Sequence, residues 1–553
     1  MQSGQAVLAT FLNFGYYSQV MTNRKEKKGV KSFSGPRIGT GHGILASCVT
    51  IVLLWLALPG GGEFWPLLAV ACVPFLVSVY RGSRRQVFFF ALFFGTVHFL
   101  IQLYWIVFVI GHYGGLPLYF SVPALILLCL YLAVYVVIFA QLARCFVARF
   151  SPFSCLWLLP CAWVAMDYLR SFVFSGFPWM DLGYGLVNMV LLMQLADVFG
   201  HYGLTFIIIL LNSFFALCFL YRNELHGRKK MAMAVCLVLV CSVSYSSWRL
   251  QQVDLQLEKA AFLNVGVVQG NIDQGQKWNP ARQGTTVKTY LDQSTVLMQG
   301  AVRPDLLLWP ETALPFFPPG HPLSRPIASF LQDEEVTLLT GSPWFERGDA
   351  AAENLKIFNS SLLFDTDGEI VSKTAKSHLV PFGEYVPLKR YLPFIAPLVE
   401  GVGDFIPGKI ENPPACKNGR IGVLICFESI FSDISRKWVD AGANILVNIT
   451  NDAWYGRSSA PHQTLAMTRM RAVETRRSVV RSANTGFSAF VDPLGRVLEV
   501  SPLFVPWESS RRVTLMEGRT LFVRGGFAFA PGCLIVVLFA LMICARKRKK
   551  HCN

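Results

Sequence analysis

The sequence predicts a multi-span α-helical membrane domain of about eight transmembrane helices joined to an α/β domain of layered strands and helices. Three observations favour this fold class. Apolar runs long enough to cross a bilayer concentrate before residue 250 and again after residue 524. The stretch between them has an ordinary globular composition and alternates β-rich runs with helical patterns. Basic residues cluster beside the apolar runs, as they do at membrane surfaces.

The apolar runs set the predicted membrane topology. The segment 186–198 is also apolar but short, so we expect it to lie at the membrane interface rather than to span. An even number of spans would put both termini on the same side of the membrane. The eight runs of spanning length are 43–59, 63–80, 86–110, 116–143, 153–171, 199–221, 231–249 and 525–545.

The formal charge of +16 is explained by topology rather than by nucleic-acid binding. With eight spans, all five basic regions fall on one side, which the positive-inside rule assigns to the cytoplasm. No stacking-aromatic or groove-reading motif accompanies the charge, so no nucleic-acid partner is predicted. The basic regions are the N-terminal tail, 81–85, 144–149, 222–230 and the C-terminal tail.

These patterns divide the chain into five regions. Both tails are predicted to be cytoplasmic, and the α/β domain is predicted to lie on the opposite side of the membrane. The regions are a basic tail (1–42), a membrane domain of seven helices (43–249), the α/β domain (250–524), an eighth transmembrane helix (525–545) and a second basic tail (546–553).

Two connections carry aromatic and apolar residues that a simple loop does not need. In 172–198, Trp179 and Tyr184 suit the headgroup layer, either as interfacial anchors or as part of a lipid-binding site that faces the α/β domain. The stretch 388–408 is broken by proline and glycine yet strongly apolar, which fits either core packing or a flap over an acyl chain.

Three residues of the α/β domain have the chemistry of acyl transfer. Cys426 ends the β-rich run 421–425 and can attack a carbonyl as a thiolate. Glu311, after another apolar run, can take the thiol proton, and Lys376 can stabilise the oxyanion that forms. The backbone N–H of Phe427 would be a second oxyanion donor.

The local sequences around these residues resemble the nitrilase, or carbon–nitrogen hydrolase, superfamily. Past about residue 40 the whole chain resembles its membrane-bound branch, the apolipoprotein N-acyltransferase family. The motifs are Gln269-Gly-Asn-Ile, Trp309-Pro-Glu-Thr-Ala313, Lys376-Ser-His-Leu-Val-Pro-Phe-Gly-Glu384-Tyr, Ile425-Cys-Phe-Glu428, Asn451-Asp-Ala-Trp-Tyr-Gly456, Pro461-His-Gln, Arg469-Met-Arg-Ala, Arg481-Ser-Ala-Asn-Thr-Gly486 and, in the membrane half, Ser175-Gly-Phe-Pro-Trp179.

The resemblance implies an αββα sandwich with a Glu-Lys-Cys triad at Glu311, Lys376 and Cys426, and neither a metal nor another cofactor. It implies that Glu384 orients the lysine. Supporting roles are implied for Trp278, Glu428 and Phe427, although the family often has tyrosine where this chain has Phe427.

The implied reaction moves a fatty acyl chain from a phospholipid, usually phosphatidylethanolamine, through a cysteine thioester. The acceptor is the α-amine of the S-diacylglyceryl cysteine that begins an apolipoprotein. A membrane-tethered amidase that uses water as acceptor would have the same triad, so it is the alternative enzyme.

Two further interpretations remain open from the residues themselves. The chain could be a transporter or receptor with an inert cap, in which Asp167, Arg170, Gln194 and Asp197 form a polar pathway rather than pairs inside the bundle. A Cys416–Cys426 disulfide across a hairpin would consume the nucleophile.

Overall fold

The structure, a computed structural model, describes residues 38–347, 355–386 and 405–552, with side chains up to residue 546. Most of the predicted tail 1–42, the end of the predicted tail 546–553 and most of the predicted flap 388–408 lie outside the described residues.

Seven helices of the described chain are long and apolar enough to cross a membrane. They confirm a multi-span membrane domain. The segment 186–198 contains the four-residue helix Val190–Met193 and the start of the long helix Ala196–Leu220, so it does not span by itself, as expected. The seven helices are Thr40–Ala57, Arg84–Leu103, Leu118–Val147, Pro152–Arg170, Ala196–Leu220, Leu225–Lys259 and Phe529–Cys552.

The predicted span 63–80 is not one long helix. It consists of the 3₁₀ helix Trp65–Ala69 and the α-helix Val73–Arg81. Pro74 lacks the N–H that a continuous helix would use, so a new helix starts there. Between the two helices, the Cys72 N–H donates to the Asn212 side-chain oxygen at 2.8 Å. This hydrogen bond satisfies a backbone N–H that the interruption of the helix would otherwise leave unpaired.

These two short helices nevertheless run between opposite ends of the bundle. At the start, Glu63 accepts a hydrogen bond from Asn188 at 2.9 Å, beside the α/β domain. At the other end, Arg81 lies 5.1 Å from the ring of Phe219, near the end of the helix Ala196–Leu220. The interrupted segment therefore crosses the bundle once, in addition to the crossings made by the seven long helices.

Several predicted helix boundaries differ from the structure. The helix expected at 86–110 ends at Leu103. The helix expected at 231–249 is Leu225–Lys259, which continues without a break to the α/β domain. Its last ten residues are mostly polar but still good helix formers, so hydropathy marks the end of the apolar run and not the end of the helix. The last helix begins at Phe529 rather than 525, after the short helices Leu521–Arg524 and Gly526–Ala528.

The α/β domain contains two six-stranded sheets. The strands are β1 Phe262–Gln269, β2 Leu306–Leu308, β3 Thr337–Arg347, β4 Leu355–Phe364, β5 Ile370–Ala375, β6 Ala415–Cys416, β7 Gly419–Ile425, β8 Ile445–Thr450, β9 Val479–Ala483, β10 Ala489–Val491, β11 Val497–Val500 and β12 Trp507–Thr514. Their order is β12-β1-β2-β3-β4-β5 in the first sheet and β11-β10-β9-β8-β7-β6 in the second. Strands β1–β3 and β7–β9 run parallel at the sheet centres, and antiparallel strands flank them.

The two sheets pack face to face, and helices cover their outer faces. The Ser482 hydroxyl on β9 donates to the carbonyl oxygens of Val268 and Leu308 on the other sheet, both at 3.3 Å. A buried apolar core lies between the first sheet and its helices. This arrangement confirms the αββα sandwich. The helices are Pro280–Met298 and Ser324–Asp333 on the first sheet, and Ser432–Asp440 and Ala460–Thr475 on the second.

The helix Ala460–Thr475 joins the α/β domain to the membrane half. Trp179 and Tyr184 are 1% and 0% exposed, so the prediction of half-wet anchors in the headgroup layer is wrong. The Trp179 indole donates to Gln463 at 2.8 Å, and the Tyr184 hydroxyl accepts from Arg471 at 2.8 Å. These rings face the α/β domain instead.

The polar residues of the membrane half form buried pairs with neighbouring elements. Asp167 and Arg170 pair at 3.4 Å, and Arg170 also pairs with Asp181. Gln194 and Asp197 both bind Arg476 of the α/β domain. Asp167 and Arg170 therefore pair within the membrane half, whereas Gln194 and Asp197 contact the α/β domain, and neither arrangement favours a polar pathway.

Candidate active site

The chain turns sharply at Cys426. The residue follows β7 and begins a 3₁₀ turn with a φ of 53°, a left-handed conformation that non-glycine residues seldom adopt. Backbone strain of this kind is concentrated at functional sites because the surrounding structure must hold it. Cys416 and Cys426 are both free thiols, so the disulfide alternative is excluded.

Glu428 holds this turn against the segment that carries Lys376. One carboxylate oxygen accepts from the Ile425 N–H at 2.8 Å. The other accepts from the N–H groups of Ser377 and His378 at 2.7 and 3.1 Å. Glu428 is 2% exposed, and burial raises its pKa although these hydrogen bonds oppose the shift. It therefore joins the turn at Cys426 to the residues that follow Lys376.

Glu311 lies just beyond β2 and is anchored through both oxygens. One accepts from the Asn359 side-chain amide at 2.8 Å, and the other accepts from the Asn451 N–H at 3.0 Å. Strand β3 lies so close to Glu311 that a Cβ added to Gly341 would be 2.7 Å from the Glu311 Cα. The carboxylate is thus held in one orientation.

Lys376 is buried between two carboxylates. Its ammonium donates to Glu384 at 2.9 Å and lies 3.8 Å from Glu311. Burial disfavours the charge, but the two carboxylates outweigh that effect and raise the pKa of Lys376. The same Asn359 amide that binds Glu311 also donates to Glu384 at 2.8 Å. The lysine is a fixed cation at neutral pH.

The Cys426 thiol lies within the electrostatic influence of both groups. Burial, reinforced by Glu311, raises its pKa to about 12, against the opposing effect of Lys376. The resting group is therefore a neutral thiol with an adjacent carboxylate and ammonium. Such a thiol needs a base that takes its proton as the sulfur attacks, which is chemistry that a carboxylate at the Glu311 position can perform.

The predicted site residues fall into two groups. Six come together around the thiol: Glu311, Lys376, Cys426, Glu384, Glu428 and Phe427. The seventh, Trp278, is partly exposed, and its link to the site is through its neighbour Lys277, whose ammonium donates to the Glu311 carbonyl oxygen at 2.9 Å.

Aromatic rings from both halves of the protein surround the thiol. Phe427 stacks with Phe177 of the membrane half at a centroid distance of 6.2 Å. Tyr455, whose pKa burial and the neighbouring Cys426 raise, packs against Trp105 at 4.8 Å. An apolar wall beside the thiol is suited to a hydrocarbon chain, and it is built partly from connections of the membrane half.

Sequence reasoning missed Asn359, Asn451 and Lys277. Asn451 belongs to one of the motifs quoted above, but Asn359 lies on β4 without a recognisable signal. Lys277 is 1% exposed, and burial lowers its pKa to about 8, against the influence of Glu311 and Cys426. A buried ammonium that meets only a carbonyl oxygen at hydrogen-bond distance among the described residues is a destabilising element.

Replacing Lys277 with methionine is expected to stabilise the protein at pH 7 by about 1–3 kcal/mol, because the buried charge is removed. The native lysine releases its proton near pH 8, whereas an unfolded lysine keeps it to about pH 10.4. The unfolded state thus binds more protons between these values, so wild-type stability rises with pH there and the variant loses its advantage.

Thermal unfolding of the purified proteins at pH 7 and pH 9.5 measures this difference. Lys288→Met is the matched control, because the Lys288 side chain is 72% exposed and its removal should have the same small effect at both pH values. A Lys277→Met advantage that did not shrink at pH 9.5 would contradict the assignment.

Comparisons with known proteins agree with this geometry. Residues 52–214 match the family described as apolipoprotein N-acyltransferase N-terminal domain, and residues 264–505 match the carbon-nitrogen hydrolase family. The apolipoprotein N-acyltransferase of Geobacter metallireducens is 38% identical over 511 residues, which cover 92% of this chain and 96% of that protein.

The apolipoprotein N-acyltransferase of Haemophilus ducreyi is 32% identical over 468 residues, 82% of this chain and 87% of that protein. Among solved structures, the NitN amidase of Nesterenkonia sp. AN1 is 18% identical, with a TM-score of 0.34, and the match covers 47% of this chain and 95% of that one.

Proposed function

Since the chain belongs to the apolipoprotein N-acyltransferase family, we propose that Cys426 takes an acyl chain from a phospholipid as a thioester and passes it to the acceptor amine. The protein is a membrane-embedded enzyme, and its acceptor is a lipoprotein. The proposal for the mechanism rests on one observation above all. A buried lysine, paired with Glu384 and close to Glu311, lies within the electrostatic influence of the Cys426 thiol.

In the first step, Glu311 takes the thiol proton while the sulfur attacks the ester carbonyl of the donor. Negative charge then develops on the carbonyl oxygen, where the Lys376 ammonium and the Phe427 N–H stabilise it. The ester C–O bond breaks, and the proton held by Glu311 goes to the departing oxygen of the lysophospholipid. The products are a thioester on Cys426 and a neutral lysophospholipid.

In the second step, the α-amine of the diacylglyceryl cysteine attacks the thioester. Glu311 takes a proton from that amine, and the same two donors stabilise the second oxyanion. The C–S bond breaks, and the thiolate regains its proton. An amide N–C bond has replaced a C–S bond, so the enzyme returns to its starting state without a cofactor.

The remaining parts of the proposal concern donor, topology and assembly. Phosphatidylethanolamine is the proposed donor, and the protein is proposed to act as a monomer in the bacterial inner membrane. Seven long helices and the segment Trp65–Arg81, which runs between the bundle ends, support an even number of passages. Both termini would then be cytoplasmic, and the α/β domain of 250–524 periplasmic.

The test distinguishes acyl transfer to an amine from hydrolysis. The purified chain is incubated with a phospholipid carrying a labelled acyl chain, with and without a diacylglyceryl-cysteinyl peptide, and the products are identified by mass spectrometry. We expect a labelled amide on the peptide N-terminus and a hydroxylamine-sensitive label on Cys426 when the peptide is absent. Labelled free fatty acid as the main product with peptide present would favour the amidase alternative.

A further inference from the structure

A cavity of about 920 Å³ lies between the membrane half and the α/β domain. One wall comes from the end of the helix Pro152–Arg170, the connection that follows it and the residues before the last helix. The other wall comes from residues 408–410 and 430–437 of the α/β domain. A cavity of this size can hold a lipid headgroup together with the first part of its chains. We call it the boundary cleft.

The wall from the α/β domain is cationic. Among the described residues, Lys409, Arg436 and Lys437 line it together with a single carboxylate, Asp433. Asp433 pairs with both Arg436 and Lys437 at 2.7 Å, so three cations face one anion and a surplus of two positive charges remains. An anionic group in the cleft would neutralise that surplus.

The opposite wall is aromatic. Phe172 and Phe527 are 51% and 42% exposed, and both line the cleft. The Arg436 guanidinium lies 4.3 Å from the Phe527 ring centroid, so the charged wall and the apolar wall meet. Large exposed rings at the end of membrane helices favour contact with lipid chains, whereas the cations beside them favour the headgroup.

The boundary cleft is separate from the thiol. The described residues that line it do not include Glu311, Lys376 or Cys426. An aromatic partition lies between them, because His378 packs on Phe431 at 4.0 Å and Phe431 packs on Phe427 at 5.2 Å. A molecule in the cleft therefore does not occupy the position of the reacting ester.

We propose that the boundary cleft binds a glycerophospholipid, with its phosphodiester at Lys409, Arg436 and Lys437 and its acyl chains along Phe172 and Phe527. A phosphodiester provides the anion that the cationic wall lacks. A diacylglyceryl cysteine has no phosphate, so the charge of the cleft discriminates against the acceptor of the reaction. This site does not use Cys426 and goes beyond the proposed function.

A lipid in the cleft would contact the supports of the nucleophile turn. Ser377, which lines the cleft, donates its N–H to Glu428, and Ile430, also in the lining, accepts a hydrogen bond from Arg471 at 3.3 Å. The bound lipid thus touches both segments that position the thiol and lysine, and it bridges the two halves of the protein. We assign it a structural, non-substrate role.

The test uses an ether-linked phosphatidylglycerol with a photoreactive diazirine in its headgroup, which cannot donate an acyl chain because it has no carboxylic ester. Crosslinks to the full-length protein in detergent are mapped by peptide mass spectrometry. We expect crosslinks within 408–410 and 430–437, but not at 425–428, that weaken with added salt and fall about tenfold in the Lys409→Gln/Lys437→Gln double variant. The control Lys288→Gln removes an exposed charge far along the sequence and should leave them unchanged.

Three results would overturn the proposal. They are equal crosslinking of wild type and double variant, equal protection by an excess of diacylglycerol and of phosphatidylglycerol, and protection by inorganic phosphate alone without any lipid. Formation of the labelled thioester on Cys426 is measured on the same proteins. Lys409 and Lys437 have no role in the proposed acyl transfer. A labelled thioester without lipid crosslinks would therefore mark a failure of the lipid site alone, whereas crosslinks without a labelled thioester would mark a failure of the proposed mechanism.

Discussion

Replacing Cys426 with alanine is expected to abolish both the labelled thioester and the acylated lipoprotein. In the proposed mechanism Glu311 transfers a proton and Lys376 stabilises the oxyanion, so neither of them accepts the acyl chain. Removal of a covalent nucleophile costs about 10⁶-fold in rate in comparable machinery. The measurement is incorporation of labelled acyl chain into protein and then into the acceptor peptide. The isosteric Cys426→Ser variant should be slowed rather than silent, because a hydroxyl is a weaker nucleophile.

The matched control is Cys416→Ala, which removes a thiol from the same domain. Cys416 is buried and free like a structural cysteine, with its sulfur 3.8 Å from the Asp305 carbonyl oxygen. Its loss should reduce stability slightly and leave both acyl products intact. A labelled thioester that persisted in Cys426→Ala would move the nucleophile to another residue and end the proposed mechanism.

The sequence predicts the proposed triad because Glu311 and Cys426 each follow an apolar run and Lys376 lies in one of the motifs of the resemblance. Glu311 and Cys426 both come directly after buried strands, and parallel strands place such residues at the same edge of their sheets. The residues that position the proposed triad could not be predicted in this way. Asn359 binds Glu311 and Glu384 across gaps of 48 and 25 residues, a pairing that only the register of β4 creates. No local pattern encodes it.

In the membrane half, two features differ from the sequence-based prediction. Hydropathy measures how apolar a residue is and not what covers it. Trp179 and Tyr184 have the amphipathic rings typical of a headgroup layer, but the same rings suit a protein interface with polar partners, and that is where they lie. The segment 63–80 is apolar enough to span, yet Pro74 starts a new helix within it.

The second large effect is expected at Lys376. Replacing it with methionine leaves the carboxylates of Glu311 and Glu384 buried around one shared Asn359 amide without their common cation. Breaking a buried ionic group in this way costs about 3–5 kcal/mol of stability. The oxyanion also loses its charged donor, so thioester formation should slow by roughly 10²–10³-fold. Stability is followed by thermal unfolding, and the rate by single-turnover labelling of Cys426.

The double variant Lys376→Met/Glu384→Gln separates these two effects. It removes one negative charge together with the positive one, so the buried cluster regains charge balance and most of the lost stability should return. The rate should not return, because Lys376, the cation assigned to the developing oxyanion, is missing from both variants. If the double variant recovered the rate together with the stability, Lys376 would act only by holding the fold, and oxyanion stabilisation would have to come from backbone N–H groups such as that of Phe427.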